Sequence, residues 1–306
     1  MTSISTVHAQ PAVSTYEAGV LGYMSASANF GVSASIQTHI YDIDNPYPPD
    51  NGQRADTFWV GSSLVNGAFI QFGFGFQPGR LCLRAFFQVN GTGTCMGGWD
   101  VIPNGDARWF WEYWPDWQGK LGVYSQIGPS MSVGANATWH TYYIADSLNQ
   151  RWSFVLDGRQ VGSMNVTPSE SVDKPIVSAE QVTTEAPVRL GPVEFKNLSY
   201  FSSGVWRPVE FLKAVLDCGG FGIGICSTPN PYNVTLLGEN DVIAGSLTPV
   251  VRASSTRTST ATKSELASYS NYYAIALILF VTISVVTIYH LSRRRSLQLP
   301  EPHSNG

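Results

Sequence analysis

Three polar side chains in this sequence interrupt apolar, strand-like runs and could carry chemistry. Gln71 lies in the run Ala68–Phe76, Glu112 in the run Trp109–Pro115, and Glu180 in a later run. A carboxylate can take a proton from water, and a side-chain amide can donate a hydrogen bond to an oxyanion. A Glu and a Gln on facing strands would therefore form a minimal water-activating pair. The alternative for each residue is a structural role, because a polar group in an apolar strand must be paired in a core or point into a cleft.

The first of these runs is positioned by a predicted β-hairpin over Asp56–Phe76. Its two apolar halves are joined by Asn66 and Gly67, a pair that favours a type I′ turn because both central positions of that turn need positive φ. Asp157 and Gly158 predict a second hairpin in the same way. We expect the chain to reverse direction at both places.

Glu112 lies in a predicted strand that is dense in aromatic residues. The two-residue period of a strand places Glu112 on one face with alternate neighbours. Short apolar runs at this spacing, with turn signals and no helical period, are typical of an antiparallel double-sheet β-sandwich. The predicted fold class is therefore all-β. The side chains on the Glu112 face are Phe110 and Trp114, and those on the opposite face are Trp109, Trp111 and Tyr113.

The composition supports an ordered, β-rich domain and argues against several classes of function. The 306 residues include 12% aromatic and only 13% charged side chains. A net charge of −4 does not suggest a nucleic-acid partner. The sequence contains no H-E-x-x-H, no paired C-x-x-C, no G-x-S-x-G and no Walker loop. We therefore expect neither a metal ion nor a cofactor.

The cysteines and glycosylation sequons indicate an exported, oxidising environment. Four cysteines allow three pairings, but close spacing favours two local bridges, with buried thiols as the alternative for the first pair. The favoured bridges join Cys82 to Cys95 and Cys218 to Cys226. Five N-x-[ST] sequons are acceptor sites for N-linked glycans, at Asn90, Asn136, Asn165, Asn197 and Asn233.

One segment near the C-terminus has the length and composition of a transmembrane helix. Residues 272–291 carry no formal charge, and at about 1.5 Å per residue they span the roughly 30 Å of a bilayer's hydrocarbon core. Arg293–Arg295 follow at once, so the positive-inside rule places the short tail in the cytoplasm and the large domain outside the cell. Residues 1–20 contain no apolar stretch of the signal-peptide kind, which predicts a start further upstream or an unusual export route.

The predicted organisation is that of a single-pass protein of the cell membrane. A Ser/Thr-rich stalk would hold a folded domain away from the bilayer. The segments are a loose N-terminus (1–15), an extracellular β-sandwich (16–245) with a disulfide-closed extension (201–245), the stalk (246–271), the transmembrane helix (272–291) and a cytoplasmic tail (292–306).

Several runs, taken in order, resemble motifs of the glutamic peptidases of the eqolisin family. Phe58–Gly61 with Ala68–Gly73 is similar to the family's Trp-Val-Gly and Leu-Gln-x-Gly motifs. Phe110–Pro115 resembles its aromatic Tyr-Glu-Trp-Tyr-Pro strand. Glu180 with Leu190–Asn197 resembles its Ala-Glu-Trp and Phe-Gly-x-Val-x-Phe-x-Asn pair. Members of the family are acid-acting endopeptidases with a lectin-like double sheet, so the resemblance implies a concanavalin-like jelly roll.

The resemblance also implies roles for individual residues. Glu180 would be the catalytic base, and Gln71 would stabilise the oxyanion. Three positions depart from the family's pattern, because the family has a tryptophan at Gln181 and acids at Gly75 and Arg108. The residues expected to shape the substrate groove are Trp59, Trp111, Glu112 and Tyr113.

Two functions are consistent with these residues. The first is a membrane-anchored extracellular acid endopeptidase that acts on polypeptides through Gln71 and Glu180. The second is a non-catalytic β-sandwich of the cell surface that binds glycans or proteins through exposed aromatic side chains. Convergence of the Gln71 and Glu180 side chains within water-bridging distance in an open cleft would favour the first, whereas side chains that lie apart or are buried under other side chains would count against it.

Overall fold

The structure, a computed structural model, describes residues 14–25, 29–38, 54–87, 93–103, 105–116, 122–131, 138–146, 151–165, 171–183, 187, 189–218 and 229–246. These residues form nineteen β-strands and no helix. In chain order the strands are β1 (Ser14–Tyr23), β2 (Asn29–Thr38), β3 (Arg54–Leu64), β4 (Phe69–Phe76), β5 (Gly79–Cys82), β6 (Arg84–Phe87), β7 (Gly93–Cys95), β8 (Trp99–Ile102), β9 (Ala107–Trp114), β10 (Val123–Ser130), β11 (Thr138–Asp146), β12 (Arg151–Leu156), β13 (Arg159–Asn165), β14 (Val172–Thr183), β15 (Val193–Ser202), β16 (Val205–Pro208), β17 (Phe211–Cys218), β18 (Asn233–Leu236) and β19 (Asp241–Gly245).

Two large sheets contain most of these strands. The nine-stranded sheet has the order β17-β1-β14-β3-β4-β9-β10-β6-β7. The eight-stranded sheet has the order β13-β12-β11-β2-β15-β19-β18, with β16 paired to β15. β5 and β8 form a separate two-stranded ribbon. All the strand pairs among the described residues are antiparallel.

Aromatic side chains from both large sheets meet in one core. Phe72 on β4 lies 5.0 Å from Tyr142 and 5.7 Å from Phe154 of the opposite sheet, measured between ring centroids. Trp111 on β9 stacks on Phe154 at 4.5 Å. These contacts pack the two sheets face to face, and the prediction of an all-β, antiparallel sandwich is confirmed.

The nine-stranded sheet has two different faces because side chains alternate along each strand. Its inner face packs into the core between the sheets, as Phe58, Phe72 and Trp109 do. Its other face, here called the outer face, carries the alternate side chains and a smaller apolar cluster. The buried members of that cluster are Trp59, Phe69, Phe110 and Ile176.

The predicted hairpin over Asp56–Phe76 is present as β3 and β4, but its turn is of another type. Gly67 has a φ of 85°, whereas Asn66 has a negative φ. The side chain of Asn66 instead accepts a hydrogen bond from the backbone N–H of Ala68 at 2.8 Å. A three-residue loop with glycine in the left-handed conformation is a common alternative to the type I′ turn.

The second hairpin and one disulfide match the expectations from sequence. The turn between β12 and β13 has positive φ at both Asp157 (49°) and Gly158 (80°), as a type I′ turn requires. Cys82 and Cys95 are bridged. The second predicted bridge stays a prediction, because Cys226 lies outside the described residues.

Other predictions concern residues outside the described ranges. Segment 272–291 is among them, and within the described residues no helix has the length and apolarity to cross a membrane. All described residues lie in the first of the two units into which the chain divides, Met1–Val250 and Val251–Gly306. Of the sequon asparagines, Asn90 and Asn136 are outside the described ranges, whereas Asn165, Asn197 and Asn233 are exposed at the surface.

Candidate functional site

Polar side chains on the outer face lie in two rows that cross neighbouring strands. In one row, Gln71 on β4 lies directly opposite Glu112 on β9. In the other row, Glu180 on β14 lies between Thr57 on β3 and Glu17 on β1. Directly opposed residues on one face have Cβ atoms about 5 Å apart, so each row is a set of close neighbours.

Glu180 is held by two hydrogen-bond donors from β3. Its Oε2 accepts from the indole Nε1 of Trp59 at 3.0 Å and from Oγ1 of Thr57 at 3.2 Å. Burial raises the pKa of Glu180 above its ordinary value, and these two bonds oppose that shift because they stabilise the ionised form. Both donors approach Oε2, so within the described part of the chain Oε1 is left to accept a hydrogen bond from water.

Gln71 and Glu112 form a hydrogen-bonded pair. Nε2 of Gln71 donates to Oε2 of Glu112 at 2.7 Å, with Gln71 6% exposed and Glu112 half-buried. Burial, followed by the negative charge of Glu180, raises the pKa of Glu112 to about 7 against the opposing hydrogen bonds. Below neutral pH, Glu112 is therefore a neutral carboxylic acid.

A third carboxyl group at the site, Glu17, was not among the residues expected from sequence. Its side chain is 1% exposed, and within the described residues its Oε2 has no hydrogen-bond partner. Burial raises its pKa well above the ordinary range, and the charges of Glu180 and Asp217 raise it further. The only local signal was a charged residue inside the apolar run of β1, since the pairing with Glu180 is long-range.

Gln71 and Glu180 share the outer face but belong to different rows. Gln71 lies opposite Gly61 of β3, whereas Glu180 lies opposite Thr57 of the same strand, four residues away. In a flat sheet this offset is about 13 Å along the strands. The charge of Glu180 nevertheless acts on Glu112, the partner of Gln71, so the two rows share one electrostatic environment. The two residues are thus placed on one surface, each bonded to different neighbours.

The predicted groove residues separate onto the two faces of the sheet. Trp59 lies on the outer face between the two rows, and its buried indole orients Glu180. Trp111 and Tyr113 lie on the inner face, 2% and 6% exposed, because alternation along β9 turns them away from Glu112. Both rings pack into the core between the sheets, and Trp111 also lines a cavity of about 650 Å³ on that side, so their place in a substrate groove stays a prediction.

The departures from the family pattern have structural explanations at Gln181 and Arg108. Nε2 of Gln181 donates to Asp56 at 2.7 Å, and its Oε1 accepts from the hydroxyl of Tyr232 at 2.7 Å. This amide is therefore bonded at both ends inside the core. Arg108 forms ion pairs with two aspartates, each at 2.9 Å, which compensate its charge near the site.

The acids of the site do not converge as metal ligands would. Within the described ranges there is no group of three or more His, Cys, Asp or Glu side chains that could hold a metal ion. The carboxyl groups of Glu17, Glu112 and Glu180 interact through their charges, while each has its own neighbours. The expectation that no cofactor is needed stays a prediction.

Comparison with known proteins gives similarities to solved structures only. No protein-family model matches the chain, and no curated protein is significantly similar to it. The structure is similar to that of scytalido-glutamic peptidase with a transition-state analogue inhibitor, at 16% identity, over 76% of this chain and 97% of that chain, with a TM-score of 0.42. It is also similar to SCP-B, a member of the eqolisin family of peptidases in complex with the tripeptide Ala-Ile-His, at 14% identity, over 76% and 98% of the two chains, with a TM-score of 0.37.

A carbohydrate-acting enzyme is among the similar structures as well. It is the kappa-carrageenase from Pseudoalteromonas carrageenovora in complex with an oligotetrasaccharide, at 12% identity, over 65% of each chain, with a TM-score of 0.25. All three TM-scores are below 0.5, so the case for a function has to rest on the side chains of the site.

Proposed function

We propose that the outer-face site hydrolyses peptide bonds as a glutamic peptidase, with Glu180 as the general base and Gln71 as the oxyanion donor. The observation that carries the proposal is the unequal environment of three neighbouring carboxyl groups. Two donors stabilise the ionised form of Glu180, and its charge raises the pKa of both Glu17 and Glu112. One ionised carboxylate among neutral acids, on the same surface as an amide, is the arrangement that a carboxylate base needs.

The order in which the acids ionise suits catalysis at acidic pH. We expect Glu180 to ionise before the other two, because Trp59 and Thr57 donate hydrogen bonds to it. Its charge then raises the pKa of Glu17 and of Glu112. Glu112 follows at a pKa of about 7. Between these two events the site carries one negative charge, on Glu180. We therefore expect activity to rise as Glu180 ionises and to fall as Glu112 loses its proton.

The chemical steps need only these side chains and a water. Oε1 of Glu180 takes a proton from the water as its oxygen bonds to the scissile carbonyl carbon. The negative charge that develops on the carbonyl oxygen accepts a hydrogen bond from Nε2 of Gln71, which has a second N–H besides the one given to Glu112. The proton on Glu180 then passes to the leaving nitrogen as the C–N bond breaks.

The substrate would have to lie across both rows. Gln71 and Glu180 are offset by four positions along β3, with Trp59 between them on the same face. The base and the oxyanion donor act on the same carbonyl group, so the long side chains of Glu180 and Gln71 have to close this offset over one peptide bond, which an extended chain lying on the sheet presents. The proposal therefore favours an unfolded or extended polypeptide as the substrate.

The test is proteolysis of a reduced and alkylated protein by the full chain across acidic and neutral pH. Glu180→Gln keeps the shape of the side chain but removes the base, and should lower kcat/KM by at least about 10²-fold. Gln71→Ala should lower kcat by about 10² to 10³-fold. Glu239→Gln, at an exposed carboxyl group, is the matched control and should leave the rate unchanged. Full activity of Glu180→Gln would rule out this mechanism.

A second candidate function is non-catalytic binding of glycans or proteins. Trp99, on the two-stranded ribbon, is 56% exposed, and the guanidinium of Arg80 lies 5.1 Å from its ring centroid. An exposed indole beside a cation can stack on a sugar ring. Glycan-array binding that is lost in Trp99→Ala, from a chain without proteolytic activity, would favour this function over the first.

We also propose that residues 272–291 anchor the chain in the cell membrane, with the sandwich outside. The support is the length of the uncharged stretch and the arginines that follow it. The full chain should stay with membranes through alkaline carbonate washing and be released by detergent. Recovery in the carbonate supernatant would contradict the anchor.

A further inference from the structure

Glu17 and Glu180 are paired by the register of the nine-stranded sheet. They lie directly opposite each other on the antiparallel strands β1 and β14, on the same face. Two acids at such positions have Cβ atoms about 5 Å apart, and two like charges there destabilise the sheet. The 1% exposure of Glu17 makes the repulsion stronger, because little water is available to screen it.

A side-chain hydrogen bond from Ser178 opposes the rise in the pKa of Glu17, but the charged neighbours of Glu17 add to that rise. On its other side, β17 places Asp217 opposite Glu17. The cation on the same face of β17, Lys213, lies four residues along that strand and is exposed. Nδ2 of Asn230 donates to the backbone carbonyls of Glu17 and Asp217, at 2.6 Å each, and not to the carboxyl groups.

The unpartnered oxygen is a separate observation on the same group. Oε2 of Glu17 is buried and has no hydrogen-bond partner within the described residues. An ionised carboxylate buried in this way is costly, whereas a neutral carboxylic acid is much less so. Glu180 differs, because Trp59 and Thr57 both donate to its Oε2. Of these two opposed acids, Glu180 is therefore the one expected to be ionised and Glu17 the one expected to keep its proton.

We propose that Glu17 and Glu180 form a carboxyl pair that holds one proton, with Glu17 protonated and Glu180 ionised. Glu17 is then a positioning residue, which acts on the site through Glu180 and need not touch substrate. The pair exists whether or not the chain cuts peptides, and only its effect on catalysis rests on the proposed function. Once Glu180 is ionised, its negative charge raises the pKa of Glu17, so the pair titrates in two well-separated steps.

The pair can be tested by infrared spectroscopy of the full chain, without reference to activity. A protonated carboxyl group has a carbonyl band distinct from that of a carboxylate. At pH 7, and with Glu112→Gln in both chains so that Glu112 contributes no band, the spectrum of the parent chain minus that of its Glu17→Gln variant should contain the band of one carboxylic acid. The matched control, Glu239→Gln, should give no such band. An absent Glu17 band at pH 7 would overturn the proposal.

The link to Glu180 needs a second variant. In a Glu180→Gln background the neighbouring charge is gone, so the Glu17 band should titrate away at lower pH than in the wild type. An unchanged titration would show that the two groups are not coupled, and would equally overturn the proposal. If Glu17→Gln fails to fold, the same shift can be read from Glu112→Gln against the double variant Glu112→Gln with Glu180→Gln, in which Glu112 gives no band. If the chain lacks peptidase activity but the Glu17 band still titrates at lower pH without Glu180, the proposed function is refuted while the Glu17–Glu180 pair is supported.

Discussion

Glu112→Gln is the change that tests the electrostatics of the site most directly. Glutamine has the shape of a protonated glutamic acid and keeps an acceptor oxygen for the 2.7 Å hydrogen bond from Gln71. The variant therefore resembles the state that Glu112 adopts below its pKa, and it cannot ionise. Differences between the variant and the wild type then report the ionisation of Glu112, including its coupling to Glu180.

The size of the expected effect follows from linkage between protonation and folding. The pKa of Glu112 is about 7 in the folded chain, against an ordinary value of 4.5. This difference corresponds to about 3 kcal/mol of folding free energy. Because the folded state binds the proton more tightly, this stability is fully present below pH 4.5, is lost as the pH rises through about 7, and does not return at higher pH.

The assay is urea unfolding of the full chain, followed by tryptophan fluorescence at several pH values from 4 to 8. Near pH 4 the wild type and Glu112→Gln should have similar free energies of unfolding. By pH 8 the variant should be more stable than the wild type by about 3 kcal/mol. Glu239→Gln, an exposed control, should show no such divergence. A constant difference between wild type and Glu112→Gln at all pH values would refute the reasoning.

Two further predictions concern the scaffold that holds the site. A Cβ at Gly73 would overlap the carbonyl oxygen of Phe58, so Gly73→Ala should destabilise the fold by about 3 kcal/mol in thermal unfolding. The control is Gly238→Ala, whose Cβ would have its nearest neighbour at 3.8 Å and which should be nearly neutral. The bridge between Cys82 and Cys95 closes a loop across 13 residues, so replacing both with serine should cost about 3 kcal/mol, and an unchanged Tm would contradict a structural role.

Much of the fold could be predicted because the signals that specify strands and hairpins are local. Alternation and turn residues indicated an antiparallel β-sandwich, and the hairpin that carries Gln71 has the expected strands. The turn type was missed at Asn66-Gly67, because three-residue and two-residue loops both accept an Asn-Gly sequence. The observed register has a three-residue loop, because the backbone N–H of Leu64 donates to the carbonyl of Ala68 across it.

The assignment of β9's faces shows a limit of periodicity. The alternation that places Glu112 apart from Trp111 and Tyr113 is correct in the structure. Which face points into the core could not be decided, because both carry tryptophan or phenylalanine and both look apolar. The structure resolves the ambiguity, since Trp111 stacks on Phe154 of the opposite sheet. A groove on the outer face can therefore include Glu112 but not Trp111 or Tyr113.

The acids of the site show why single residues predict chemistry poorly. A glutamate such as Glu180 can act as a base only where it is ionised. Which acid of the site is ionised depends here on the donors Trp59 and Thr57 from β3 and on Glu17 from β1. None of these neighbours is close to it in sequence, and each is brought there by antiparallel pairing. Removing one acid should therefore change how the others titrate, so variants of Glu17 and Glu112 have to be compared over a range of pH. At a single pH, a shift in protonation and a loss of chemistry would look the same.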